Sequence, residues 1–203
     1  MEKPAIQRLI DLQKLMVQFS AIERRVYMPE PLDRPENDVE HTYTLAMAAW
    51  FLAAYFPELD RDKLIRLALA HDLLEVHAGD TFAFGSTAAL ASKHEREAAA
   101  IEQLRSEWQD FTDLAAAIDE YESRESAEAK FVYALDKIMV ITVNMLNGGK
   151  NWHQHGVTFE KFVAEKEKKV PISPDVYAYY KQLYAILVEQ PHLFASEKTE
   201  HPN

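Results

Sequence analysis

Four side chains that can bind a divalent metal ion interrupt apolar faces of predicted helices: His41, His71, Asp72 and Asp136. On a helix, residues three or four positions apart lie on the same side. The apolar neighbours are Leu45, Ala48 and Leu52 for His41; Leu64, Leu67 and Leu74 for His71; Ile65, Ala68, Leu69 and Val76 for Asp72; and Ala129, Val132, Met139 and Val143 for Asp136. A carboxylate in such surroundings is costly unless it is paired or binds a metal. Two imidazoles and two carboxylates suit Mn, Co, Fe, Zn or Mg.

Each of these residues, taken alone, is more often a hydrogen-bonded core residue or a helix cap than a ligand. The sequence contains no cysteine, so a metal site would have to use His, Asp or Glu. It is the order of the four residues along the chain that makes a shared site the stronger interpretation.

That order, a His, then His-Asp thirty residues later, then an Asp on a later long helix, resembles the HD-domain phosphohydrolases. Three segments carry the likeness: ENDVEH at 36–41, HDLLEVHAGD at 71–80, and SAEAK through LDK at 126–137. They are similar to the conserved blocks of a branch that includes the bacterial 5′-deoxynucleotidases. The resemblance extends over roughly residues 5–147 and is more specific for the family than for the substrate.

The resemblance implies a role for each matching residue. His41, His71, Asp72 and Asp136 would hold one divalent ion, and Glu75 would move the proton of the attacking water or of the leaving group. Glu75 follows His71 by four positions, so it extends over the same helical edge. Asp80 would be a second acid of the pocket, although a turn aspartate after Gly79 is an equal alternative.

The resemblance also implies a phosphate-binding arginine after the first helix, at Ile22-Glu23-Arg24. The family usually has Trp directly after that arginine, whereas this chain has Arg25. Either Arg24 or Arg25 could therefore meet the phosphate, and any preference for deoxynucleotides should be weaker.

The expected reaction is metal-dependent hydrolysis of a nucleoside or deoxynucleoside 5′-monophosphate to nucleoside and phosphate, and the resemblance implies a homodimer. Two alternatives stay open. One is an HD hydrolase acting on a cyclic nucleotide, a nucleoside triphosphate or an alarmone. The other is a helical protein that senses a metal or ligand without turnover, against which Glu75 and the two arginines argue.

Helical periodicity and capping signals predict an all-α, compact HD-like bundle of about six to eight helices. The predicted helices cover about 5–19, 37–55, 60–79, 92–108, 111–122, 126–147, 159–168 and the segment from Ser173 onward. We expect loops at 27–36, which contains three prolines, and at 150–157, and an exposed charged helix at 159–168. No segment alternates with period 2 for long enough to predict a strand.

Length and charge narrow the class of protein further. The 203 residues fit one domain, 1–203, with a core at about 5–190 and a flexible tail at 196–203. The net charge of −11 argues against broad binding to nucleic acid or anionic membranes. No membrane span and no signal peptide are predicted, so we expect a cytoplasmic protein with a small nucleotide substrate.

Overall fold

Helices dominate the computed structural model, which describes residues 4–79 and 92–196, with Lys93 described by its backbone alone. The helices are α1 Ala5–Ser20, α2 Asp38–Ala53, α3 Arg61–Ala70, α4 Glu75–Ala78, α5 Lys93–Glu107, α6 Thr112–Ser123, α7 Ala127–Leu146, α8 Lys150–Gln154, α9 Phe159–Lys169 and α10 Pro174–Val188. Short 3₁₀ turns follow at Val170–Ile172 and Pro191–Leu193. Eight of the helices in these described ranges have ten or more residues, and the predicted all-α fold is confirmed.

Several of the helix starts that the sequence indicated are formed by side-chain caps. Asn37 and Glu40 make a capping box: the Glu40 amide donates to Asn37 Oδ1 at 3.0 Å, and the Asn37 amide donates to Glu40 Oε2 at 3.2 Å. Ser126 Oγ accepts from the amide of Ala129 at the start of α7. These caps fix where α2 and α7 begin, and therefore which of their residues face the core.

A two-stranded hairpin precedes α2, so the prediction of no strand was wrong, whereas most of the loop predicted at 27–36 lies between the two strands. β1, Glu23–Tyr27, pairs antiparallel with β2, Pro35–Asn37, with Glu23 opposite Asn37 and Tyr27 opposite Pro35. Strands of five and three residues are too short to show a period of two in the sequence.

The predicted continuous helix over 60–79 was also wrong, because α3 and α4 are separated at 71–74. The amides of Leu73 and Glu75 donate to the carbonyls of Ala70 and Asp72, three positions back, at 3.2 and 2.9 Å. This 3₁₀-type spacing tightens the turn.

The segment after α7 turns sharply and resumes as a helix where a loop was predicted. Gly149 has φ +76°, and a Cβ there would lie 1.9 Å from the Leu193 carbonyl oxygen, so only glycine fits. α8 follows immediately.

The prediction of an exposed helix at 159–168 was wrong for one face, because Phe162 and Lys166 of α9 are buried.

Two hydrophobic clusters meet at the tight turn. The larger one joins α2, α3, α7, α9 and α10 and contains Leu64 and Leu67. The smaller one joins α1, α5 and α6 and contains Ala70, Leu73 and Leu74. The described parts of the chain contain no helix that is both long enough and apolar enough to cross a lipid bilayer.

Candidate metal centre and active site

The four predicted ligands come from three separate elements and meet between them. His41 lies in the first turn of α2, His71 and Asp72 lie in the tight turn after α3, and Asp136 lies in the middle of α7. His41 Nε2 is 3.0 Å from Asp136 Oδ1 and 3.9 Å from Asp72 Oδ2. His71 Nε2 is 2.9 Å from Asp72 Oδ2, and the two imidazole rings are 5.4 Å apart.

These donor atoms form two groups that could bind metal among the residues described. His41, His71 and Asp136 make the first, and all three are buried. Asp38, Asp72 and Glu75 make the second. Asp72 of the acidic group lies 2.9 Å from His71 of the histidine group, so the two groups are adjacent.

The chemistry of His71 fits a metal ligand. Its Nδ1 lies 2.8 Å from the carbonyl oxygen of Ala68, which can only accept, so Nδ1 carries the proton. In the neutral ring, Nε2 then offers a lone pair to a metal. This nitrogen is buried and no hydrogen-bond partner is found for it among the described residues, although Asp72 Oδ2 lies 2.9 Å away. A divalent cation would give both atoms a partner.

The distances between the predicted ligand atoms also fit a bound metal ion. Ligand atoms bound at about 2.1 Å and at right angles around one ion lie about 3.0 Å apart. The His41–Asp136 and His71–Asp72 contacts, at 3.0 and 2.9 Å, match that separation. Each of these two pairs is therefore spaced as neighbouring ligands of one ion would be.

Arg24 enters the cluster from strand β1. Its Nη1 donates to Asp72 Oδ2 at 2.8 Å and to Asp38 Oδ1 at 3.1 Å, and its Nε lies 3.5 Å from Glu36 Oε2. None of the contacts found within residues 4–79 and 92–196 uses Nη2, which therefore has N–H groups to offer a ligand. Arg25 projects elsewhere, toward a cavity beside α7 and α9.

Glu36 and Asp136 contact opposite sides of the His41 ring. Glu36 Oε2 is 3.6 Å from Nδ1. Burial and the charge of Arg24 lower the His41 pKa, but the contacts with Asp136 and Glu36 outweigh them and raise it to about 9. Burial disfavours the Asp136 carboxylate, yet Lys137 and His41 hold its pKa well below the usual range. Acid and imidazole thus stabilise one another's charge.

Glu75 is buried at the start of α4 and interacts with Asp38. Burial raises the pKa of Asp38 to about 6, although the charge of Arg24 opposes this. A hydrogen bond between two carboxyl groups requires a proton on one of them. Glu75 is therefore placed where a proton can be held, next to Asp72. Asp80 lies outside the described residues.

Three site residues were not assigned a role from sequence: Glu36, Asp38 and Lys137. Lys137 pairs with Asp136, and its ammonium lies 5.0 Å from the centre of the Tyr133 ring. All three lie inside the segments that carry the family resemblance, Glu36 and Asp38 in 36–41 and Lys137 in 126–137. Their place in these segments was the signal that could have identified them.

A sequence model of the HD domain matches residues 18–176. The chain belongs to the HD-domain family. This match confirms the family membership that the order of the motifs indicated. The His and Asp residues described above all lie within the matched region.

A protein of known structure and two curated sequences are also similar to this chain. The chain is 30% identical to a "predicted metal-dependent phosphohydrolase" from Magnetospirillum magnetotacticum, with a TM-score of 0.77, over 95% of this chain and 99% of that one. It is 34% identical to the 5′-deoxynucleotidase HDDC2 of Xenopus laevis and 32% identical to that of Homo sapiens, each over 135 residues. The matched region is 66% of this chain and 66% and 65% of those relatives.

Proposed function

We propose that this protein is a metal-dependent phosphohydrolase that converts nucleoside 5′-monophosphates, including deoxynucleotides, to nucleoside and inorganic phosphate. The observation that carries the proposal is the convergence of His41, His71, Asp72 and Asp136 beside Arg24 and Glu75. The names of the curated relatives support this substrate class. With Arg25 in the position after Arg24, we expect only a modest preference for the deoxy sugar.

His41, His71, Asp72 and Asp136 would hold the ion. When bound, a divalent ion lowers the pKa of a coordinated water and neutralises charge on a phosphate oxygen. Four protein ligands leave room for water and substrate only at coordination number five or six, which favours Mn, Co, Mg or Fe over tetrahedral Zn.

The surrounding side chains complete the chemistry. Arg24 orients the phosphate through Nη2, while Asp38 and Glu36 hold the rest of its guanidinium in place. Glu75 accepts the proton of the attacking water or donates one to the leaving oxygen, a role typically worth about 10²–10⁴-fold in rate. We keep Asp80 as a second acid of the pocket, and the cytoplasmic location stays a prediction.

We further propose that the protein is a homodimer that pairs through the outer face of α2. This helix is apolar on both sides, and a helix of that kind is normally buried all round. Its outer face consists of Tyr43, Met47, Trp50 and Phe51, and Tyr55 continues it just beyond the end of the helix; Trp50 is 54% and Phe51 66% exposed in one chain. A second copy would cover them.

Sedimentation velocity tests the dimer. Phe51→Glu should shift the protein from dimer to monomer, because a charge would be desolvated in the interface. Leu146→Glu, which changes an exposed apolar residue at the end of α7, should leave the dimer intact. An F51E variant that remains dimeric would contradict the proposal.

The function is tested by chelating the protein and then assaying deoxy- and ribonucleoside 5′-monophosphates with Mn, Co, Mg, Fe and Zn. We expect inorganic phosphate as the product. Turnover confined to cyclic nucleotides, or release of pyrophosphate or triphosphate, would favour another HD reaction. Stoichiometric metal without any turnover would favour a sensor.

A further inference from the structure

A second cluster of basic side chains lies one to two helical turns along α7 from Asp136. Lys166 of α9 and Arg25 of β1 line a small cavity together with Val140, Asn144 and Trp152. Residues spaced four apart lie on one face of a helix, so Val140 and Asn144 continue the face of α7 that carries Asp136. The cavity is therefore a neighbour of the metal centre.

Lys166 is unusual for a lysine because only 6% of its surface is exposed. A buried ammonium is costly unless it is paired. Among the described residues, no carboxylate lies within salt-bridge distance of Lys166 Nζ, and no acceptor is within hydrogen-bond distance. Its one aromatic contact is the Phe162 ring, 5.8 Å away.

The nearby charges do not compensate for this burial. Lys137 and Lys169 disfavour the charged form of Lys166, whereas Asp136 and Glu165 favour it. Asp136 is already paired with Lys137 and in contact with His41, and Glu165 does not form a salt bridge with Lys166. Arg25, across the cavity, has no acidic partner within the described part of the chain either. In a protein of net charge −11, two basic residues that form no salt bridge within the described ranges thus line one cavity.

We propose that Lys166 and Arg25 form a subsite for a small oxyanion, a phosphoryl or sulfate group. The cavity volume of about 30 Å³ excludes a nucleobase and suits a few oxygen atoms. An oxyanion would give the buried ammonium the counter-charge that the protein does not supply, and Arg25 would add a planar donor pair at the open side.

Two sources can supply this group. One is a free inorganic anion. The other is a second phosphate on a nucleotide whose 5′-phosphate lies at the metal centre, which would make bisphosphorylated nucleosides substrates. The second source rests on the proposed function, whereas the first does not.

The free anion is tested by thermal unfolding of the metal-loaded protein in increasing sulfate, with chloride adjusted to keep the ionic strength constant. We expect the Tm of the wild type to rise, because binding to the folded state stabilises it. In Lys166→Met the rise should fall by at least half. Lys168→Met, which removes an exposed lysine two positions away, should respond like the wild type.

The second source is tested by comparing kcat/KM for a nucleoside 3′,5′-bisphosphate with that for the matching 5′-monophosphate. Lys166→Met should lower this ratio at least tenfold, and Lys168→Met should not. If Lys166→Met fails to fold, Arg25→Gln at the exposed side replaces it in both assays. A sulfate response and a substrate ratio that both match the wild type would overturn the subsite. If the wild type responds to sulfate but hydrolyses neither the monophosphate nor the bisphosphate, the proposed function is contradicted and the anion subsite is not.

Discussion

Nε2 of His41 lies 3.0 Å from Oδ1 of Asp136, although 95 positions separate the two residues in the chain. The contact joins the first turn of α2 to the middle of α7. Both helices begin at side-chain caps, Asn37 and Ser126, so the positions of these two side chains are set by local sequence and by packing in the larger cluster.

Asp136→Ala should abolish both bound metal and activity, because it removes a buried ligand and leaves His41 without its partner. Asp72→Ala should do the same. Metal content per chain, measured by elemental analysis after dialysis, checks this expectation. Asp62→Ala, an exposed acid on α3, is the control. A full metal complement in both ligand variants would refute the assignment.

Glu75→Gln should keep the fold and the metal while kcat falls roughly 10²-fold or more, since an amide cannot carry the proton. Glu58→Gln, at an exposed position, should leave kcat unchanged. Turnover and metal content are measured on the same preparation. Near-normal kcat with metal in place would mean that Glu75 has another role.

Arg24→Lys should lower kcat/KM for a 5′-monophosphate more than Arg25→Lys does. Arg24 contacts Asp38 and Asp72 and presents Nη2 to the site, so a lysine there loses the planar fork and kcat/KM for a 5′-monophosphate should fall about 10–100-fold. Arg25→Lys keeps a charge in the neighbouring cavity and should have a smaller effect. Steady-state kinetics decide between them, and equal losses would contradict the separation seen in the structure.

The stability of the protein in sulfate-free buffer should depend on pH through Lys166. Burial and the charge of Lys137 lower its pKa from 10.5 to about 7. Below pH 7 both folded and unfolded chains carry the proton, so the full cost of burying the charge is present. Between pH 7 and 10.5 the folded chain releases the proton first, and the cost disappears as pH rises.

Lys166→Met has no charge to bury at this position, so its stability does not include this cost at any pH. It should be more stable than the wild type at pH 6, by on the order of a few kcal/mol, and the difference should shrink toward pH 10. Urea unfolding at several pH values measures it. Lys168→Met should show no such trend, and a difference between Lys166→Met and wild type that is constant with pH would contradict the explanation.

The sequence predicted the helical fold and the four ligand candidates because the relevant signals are local. Caps at Asn37 and Ser126, and polar residues on apolar faces, can be recognised without tertiary structure. The hairpin could not be recognised, since its register depends on pairing between residues 23–27 and 35–37.

Lys166 was missed for a different reason. The segment 159–169 is rich in Lys and Glu, a composition typical of an exposed helix. Only the packing of α9 shows which of its lysines is enclosed. Likewise, the choice between Arg24 and Arg25 depends on which side of β1 faces the cluster, and that side is set by the strand's tertiary contacts.

The tight turn at 71–74 has a mechanical consequence. Leu67, before it, packs in the larger hydrophobic cluster, and Leu73 and Leu74 pack in the smaller one. His71 and Asp72 stand at the boundary between the clusters, and the residues they meet, His41 and Asp136, lie on α2 and α7, which both pack in the larger cluster. Sliding of one half of the molecule past the other would have to lengthen these short contacts. The relative position of the two clusters and the spacing of the four predicted ligands thus depend on the same turn.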